Sequence, residues 1–230
     1  MILYVYPDTL EKYHQATQVI TIRNRLEELA KDACLILHYS QVNLSLLNRL
    51  QPWAICHGGT GTLYEEYDVL KNKEYKKAVK ESNFPQIGFC GGHQIIAKFF
   101  GSSLGPIRLL KKGEPDLSAY RPGYFKEWGF YPVKIVRKDA LFSGCSQTIM
   151  VPEYHFWEVK KLGPELVLLA SSRNCRVQVF RHRTRFIYGT QFHPESANEV
   201  YPDGTKILRN FFHLARQAVF PSEEAKCRTS

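Results

Sequence analysis

The 230-residue chain has no uninterrupted apolar stretch approaching the roughly 18 residues that a membrane span needs, so a membrane-spanning helix is not expected. Its start, MILYVYPDTLEKYH, places Pro7 and Asp8 where a secretory apolar region would continue, and a cytoplasmic location is the expectation. The six cysteines, at positions 34, 56, 90, 145, 175 and 227, form no CxxC pair and no regular spacing. That argues against a disulfide scaffold and against a zinc ribbon. Acidic residues are few beside basic ones, 22 against 31, giving a net charge of +9. Such an excess suits an anionic substrate, an acidic partner or loose nucleic-acid affinity, but no nucleic-acid motif accompanies it and a solvated basic surface is expected. Internal repeats, low-complexity segments and the phosphate loop GxxxxGK followed by Ser or Thr are also absent.

What is present is a hydrophobic fraction of 44%, ample for a packed core. One domain over residues 1–220 is expected, with a polar tail at 221–230. The first half alternates strands and helices. Apolar runs at Ile2–Tyr6, Leu35–Tyr39, Trp53–Cys56 and Pro85–Cys90 read as buried strands, and residues 11–31, 44–50, 63–82 and 93–100 carry apolar positions at helical spacing. Four strands alternating with helices imply an α/β fold with a mostly parallel central sheet and helices on both faces. In the second half, short β-rich runs at 130–136, 147–151, 166–170, 176–180 and 186–191 predict added antiparallel strands, and 206–219 reads as a closing amphipathic helix. The Gly-, Pro- and Lys-rich stretch 101–128 reads as a surface excursion.

Within this frame, Gly88-Phe89-Cys90-Gly91-Gly92 puts a thiol between glycines where a strand meets a helix, the sequence form of a nucleophile elbow. So sharp a turn demands small neighbours, and the following helix favours a thiolate and offers free N–H groups to a developing oxyanion. A hundred residues on, Tyr188-Gly189-Thr190-Gln191-Phe192-His193-Pro194-Glu195 supplies a base in His193 and a carboxylate, Glu195, to fix its tautomer. Cys56, beside His57-Gly58-Gly59, is a rival nucleophile, but it lacks the preceding glycine and an obvious following helix.

GFCGGHQ and YGTQFHPE resemble the nucleophile and His-x-Glu motifs of the class I glutamine amidotransferase family, with agreement in motif order from about Val5 to Leu214. The resemblance implies a flavodoxin-like fold, catalysis by Cys90, His193 and Glu195, and oxyanion donors at the backbone N–H groups of Gly59 and Gly91. It also implies glutamine contacts from Gln94 and from the segment containing Tyr154, His155 and Phe156, with a structural histidine as the alternative for His155. No metal and no cofactor is implied. The implied substrate is glutamine or another γ-glutamyl amide, with ammonia passing to a separate synthase partner. A stand-alone γ-glutamyl hydrolase and a catalytically silent binding protein are the alternatives. Three departures from the family pattern stand out: Thr60-Gly61 where a Pro is common, Tyr154 where Ser or Asn precedes the His, and the bulky pair Phe156-Trp157. Arg181, Arg183 and Arg185, with Arg173 and Arg176 nearby, would form a basic stripe on one hairpin face, either a docking patch or a solvated face.

Overall fold

Alternate residues of the first strand go to opposite sides of one sheet: Ile2, Tyr4 and Tyr6 join one apolar cluster, and Leu3 and Val5 join another. A strand buried on both faces reads as a continuous apolar run, which is why this segment is legible without alternation. The computed structural model describes residues 1–221, so all of the expected polar tail except Pro221 lies outside the described residues. In chain order the strands are β1 (Ile2–Tyr6), β2 (Cys34–His38), β3 (Ala54–His57), β4 (Gln86–Phe89), β5 (Ser103–Pro106), β6 (Glu127–Ile135), β7 (Thr148–His155), β8 (Trp157–Lys161), β9 (Leu166–Ser171), β10 (Val179–His182) and β11 (Ile187–Thr190). The helices are α1 (Leu10–Gln15), α2 (Gln18–Ala30), α3 (Leu44–Leu50), α4 (Lys73–Glu81), α5 (Gly91–Phe99) and α6 (Asp203–Val219).

Nine strands form one sheet in the order β2-β1-β3-β4-β11-β10-β9-β6-β7, and β5 pairs with β8 in a separate two-stranded ribbon. The first five in that order run parallel, and β10, β9, β6 and β7 extend the sheet antiparallel. Helices α2 and α6 cover the face holding Leu26, Phe211 and Phe212, and α3, α4 and α5 cover the face holding Leu47, Val79 and Ile96.

The structure departs from the sequence reading in three places. The helical pattern over 11–31 breaks at Ala16-Thr17 into two helices, of which α1 fully buries none of its residues and packs on the core through Tyr13. Tyr64 and Tyr67, at helical spacing in 63–82, precede the helix, which starts only where Asn72 caps it through Tyr75 N. Their hydroxyls instead donate to Gln94 in α5 and to Thr60. Finally, β5 lies in the stretch 101–128 that reads as a surface excursion, yet it pairs with β8, a contact between distant residues that no local pattern announces.

Candidate active site

Register places Cys90 beside His193. Strand β11 runs parallel to β4 with Thr190 opposite Phe89, and Cys90 N donates to Thr190 O at 2.8 Å, so the residues after each strand emerge side by side. Cys90 then turns the chain into α5 with φ +46° and ψ −103°, a conformation that a residue with a Cβ tolerates only when its surroundings impose it. Those surroundings are tight. A Cβ on Gly92 would lie 2.2 Å from His57 O, and one on Gly88 would lie 2.5 Å from Gly92 C.

His193 is fixed from both ends: its N donates to Pro152 O at 2.9 Å and its Nδ1–H donates to Glu195 Oε1 at 2.7 Å. That tautomer leaves Nε2 toward the thiol. A Cβ built on Gly59 would meet His193 Cε1 at 3.0 Å and Cys90 Cβ at 3.7 Å, so Gly59, the imidazole and the nucleophile surround one small volume. Burial alone would lower the imidazole pKa, but the Glu195 charge and Cys90 outweigh it and hold His193 well above the usual value. The N–H of Gly91 is the first of α5 and has no acceptor within the helix.

The turn that carries Gly59 keeps its shape without the family's proline. The buried carboxylate of Asp8 accepts from Gly61 N at 2.8 Å and from the Thr62 hydroxyl. Tyr67 donates to Thr60 Oγ1 at 2.9 Å and Tyr120 to Gly61 O at 2.9 Å. The rival Cys56 is fully buried within β3 and away from this arrangement, and burial pushes its thiol well up.

Two recesses open at the thiol. One, about 460 Å³, is lined by Tyr6, Asp8, Thr60, Cys90, Tyr154 and His193. The other, about 30 Å³, is lined by Cys90, Gln94, Tyr120, His155 and Phe156. Tyr154 is half-exposed with its ring centroid 5.8 Å from that of His193, and Phe156 packs edge-on against Tyr120. A larger groove of about 760 Å³ along residues 135–147 shares no residue with this site.

His155 spends both ring nitrogens inside the protein. Nδ1 faces Trp157 O at 3.0 Å, and Nε2 faces Glu127 Oε2 at 3.1 Å and Glu153 Oε2 at 3.0 Å. Burial would lower its pKa, yet the Glu153 and Glu127 carboxylates raise it well above the usual value, while burial raises that of Glu153, so the cluster favours a protonated imidazole between two glutamates. It is also the one set of residues, among those described, whose donor atoms could hold a metal ion. Neither Glu127 nor Glu153 is singled out by the sequence, because Glu127 falls in the stretch 101–128 that reads as a surface excursion and Glu153 lies beyond the β-rich run 147–151.

We expect His155→Gln, which leaves two buried carboxylates facing each other, to cost about 3–5 kcal/mol at neutral pH. His155 carries a raised native pKa, so its contribution is complete below its unfolded value of about 6.5 and is lost as pH rises through the native one. Urea unfolding of both proteins at a series of pH values should therefore show the gap narrowing as pH rises through the native pKa of His155.

The arginines of the expected basic stripe have different partners. Arg181 pairs with Asp139 at 3.3 Å, Arg183 donates to Pro164 O at 2.8 Å, and Arg185 donates to the carbonyls of Lys80 and Ser82 at the end of α4. Arg173 and Arg176 remain exposed. No helix among the described residues is long and apolar enough to cross a membrane.

Residues 16–215 match the family model for class-I glutamine amidotransferases. The chain is 35% identical over 168 residues to the glutamine-hydrolysing GMP synthase subunit of Pyrococcus furiosus, covering 73% of this chain and 78% of that protein. To the corresponding subunit of Thermoplasma acidophilum it is 36% identical over 160 residues, 70% of each chain. A crystal structure of a candidate GMP synthase subunit from Thermoplasma acidophilum superposes with a TM-score of 0.71 at 27% identity, covering 100% of this chain and 99% of that one. A glutamine amidotransferase from Thermotoga maritima shares the fold, with a TM-score of 0.61 at 16% identity over 96% of this chain and 99% of its own.

Proposed function

The chain belongs to the class I glutamine amidotransferase family, and from that premise we propose that it is the ammonia-releasing component of a two-protein amidotransferase, working in the cytoplasm through a γ-glutamyl thioester on Cys90. The observation that carries this reading is the His193 imidazole, held by Glu195 at 2.7 Å and turned toward a thiol on a strained elbow. The Cys90 thiolate attacks the side-chain carboxamide carbon, and the N–H groups of Gly59 and Gly91 receive the negative charge on its oxygen. His193 passes a proton to the nitrogen as the C–N bond breaks and ammonia leaves. The same imidazole then takes a proton from water, whose oxygen adds to the thioester and releases glutamate and the thiolate.

The relatives in Pyrococcus and Thermoplasma are named as glutamine-hydrolysing subunits of GMP synthase, which supports a synthase partner that aminates a nucleotide. A second reading, hydrolysis of γ-glutamyl amines or peptides by the chain alone, draws on the recess of about 460 Å³ beside Cys90, larger than ammonia needs.

A substrate panel separates the two. Ammonia or amine release would be measured from glutamine and from γ-glutamyl peptides, with and without a synthase partner supplied with ATP and its nucleotide acceptor. We expect glutamine turnover to rise about tenfold or more with the partner, a coupling in the ordinary range for linked sites, and the peptides to be inert. Rapid peptide hydrolysis with glutamine untouched in both conditions would instead establish the stand-alone hydrolase.

A further inference from the structure

We propose that Gln191 is a catalytic residue, a hydrogen-bond donor to the Cys90 sulfur that is aimed by Gln94. The proposal rests on Cys90 being the nucleophile. Gln191 follows β11 two residues before His193 and is fully buried, and its Nε2 lies 3.7 Å from Cys90 Sγ. A thiolate is an acceptor with no hydrogen of its own, so an amide N–H pointed at it stabilises the reactive form.

Which end of the Gln191 amide faces sulfur is set by its neighbours. Its Oε1 accepts from Gln94 Nε2 at 3.0 Å, and its backbone N donates to Gln178 O at 2.7 Å. Gln94 Nε2 spends its other hydrogen on Trp157 O at 2.7 Å, and Gln94 Oε1 accepts from the Tyr64 hydroxyl at 2.8 Å. A flip of Gln191 would bring its NH₂ against the NH₂ of Gln94 and its oxygen against the thiolate, two donor or acceptor conflicts in a buried site. Gln94 therefore points along a chain from Trp157 through Gln191 to sulfur, with both amide hydrogens committed. Trp157 O is also the acceptor for His155 Nδ1 at 3.0 Å, so the buried imidazolium braces the far end. The physical role of Gln94 is then to position Gln191.

Iodoacetamide alkylation of Cys90, followed by peptide mass spectrometry, reads the sulfur itself and needs no glutamine turnover. Gln191→Leu removes the donor. Gln191→Glu keeps the shape and places a carboxylate against the thiolate. The proposal predicts that both move the pH profile of alkylation upward, by about one pH unit for the leucine variant and further for the glutamate variant, with about a tenfold slower rate at neutral pH. Gln94→Leu should move it in the same direction by less, and the Gln94→Leu/Gln191→Leu double variant no further than Gln191→Leu alone, since the two act in series. An alkylation profile unchanged in the folded Gln191→Glu protein overturns the assignment while leaving the proposed function standing, and additive effects in the double variant overturn the positioning role of Gln94. A native Cys90 that resists alkylation altogether overturns both the assignment and the function it rests on.

Discussion

Cys90→Ala will abolish ammonia release from glutamine, lowering kcat by about 10⁴-fold or more, because Cys90 is the thiol that lines the recess beside His193 and the proposed reaction runs through it. The substitution keeps the Cβ, so the steric demand of the +46° backbone at the elbow is the same in both proteins and the fold should survive. Glutamine binding should be little changed, since the sulfur contributes few of the contacts a bound amino acid makes. The combination to look for is a silent enzyme with native thermal unfolding. Retention of more than a few per cent of turnover would move the nucleophile elsewhere, and Cys56 offers no substitute, being fully buried with a thiol pKa pushed well up.

Glu195→Gln tests the base rather than the nucleophile. Glu195 does two things for His193: it accepts the Nδ1 hydrogen at 2.7 Å, and its charge opposes the burial that would otherwise keep the imidazole neutral. A glutamine oxygen can replace the first role and not the second. Turnover should fall by about 10²- to 10⁴-fold with KM within a few-fold of native. The sign of the pH effect follows from the same balance. In the native protein the imidazolium persists to higher pH than an ordinary histidine; without the carboxylate, burial dominates and the protonated form is lost at lower pH. The alkaline limb of residual kcat should therefore move toward acid. A variant within threefold of native activity and with an unmoved limb would contradict the assignment of Glu195.

The parts legible in the sequence were those whose signal is local. The parallel strands β1, β3 and β4 are buried on both faces and so appear as apolar runs, and Gly88, Gly91 and Gly92 mark the elbow because a side chain there would strike backbone. The proposed triad reads from the sequence because Cys90 and the pair His193 and Glu195 each follow a short recognisable strand. What escaped was set by distant partners. Tyr64 and Tyr67 looked like a helix face, yet their hydroxyls are spent on Gln94 and Thr60. Gln94, expected to face the substrate, has its amide engaged by Tyr64, Trp157 and Gln191, residues that lie far from it in the chain. Glu127 and Glu153 lie in β6 and β7, and only the strand pairing that sets Glu127 opposite His155 reveals the buried ion cluster.

Acid quenching during glutamine turnover, followed by peptide mass spectrometry, tests the central claim most directly. The native protein should carry a γ-glutamyl group on Cys90 alone, absent from Cys90→Ala and accumulating when Glu195→Gln slows the water step. Sustained ammonia release with Cys90 never acylated, or with the adduct on another cysteine, would contradict the account.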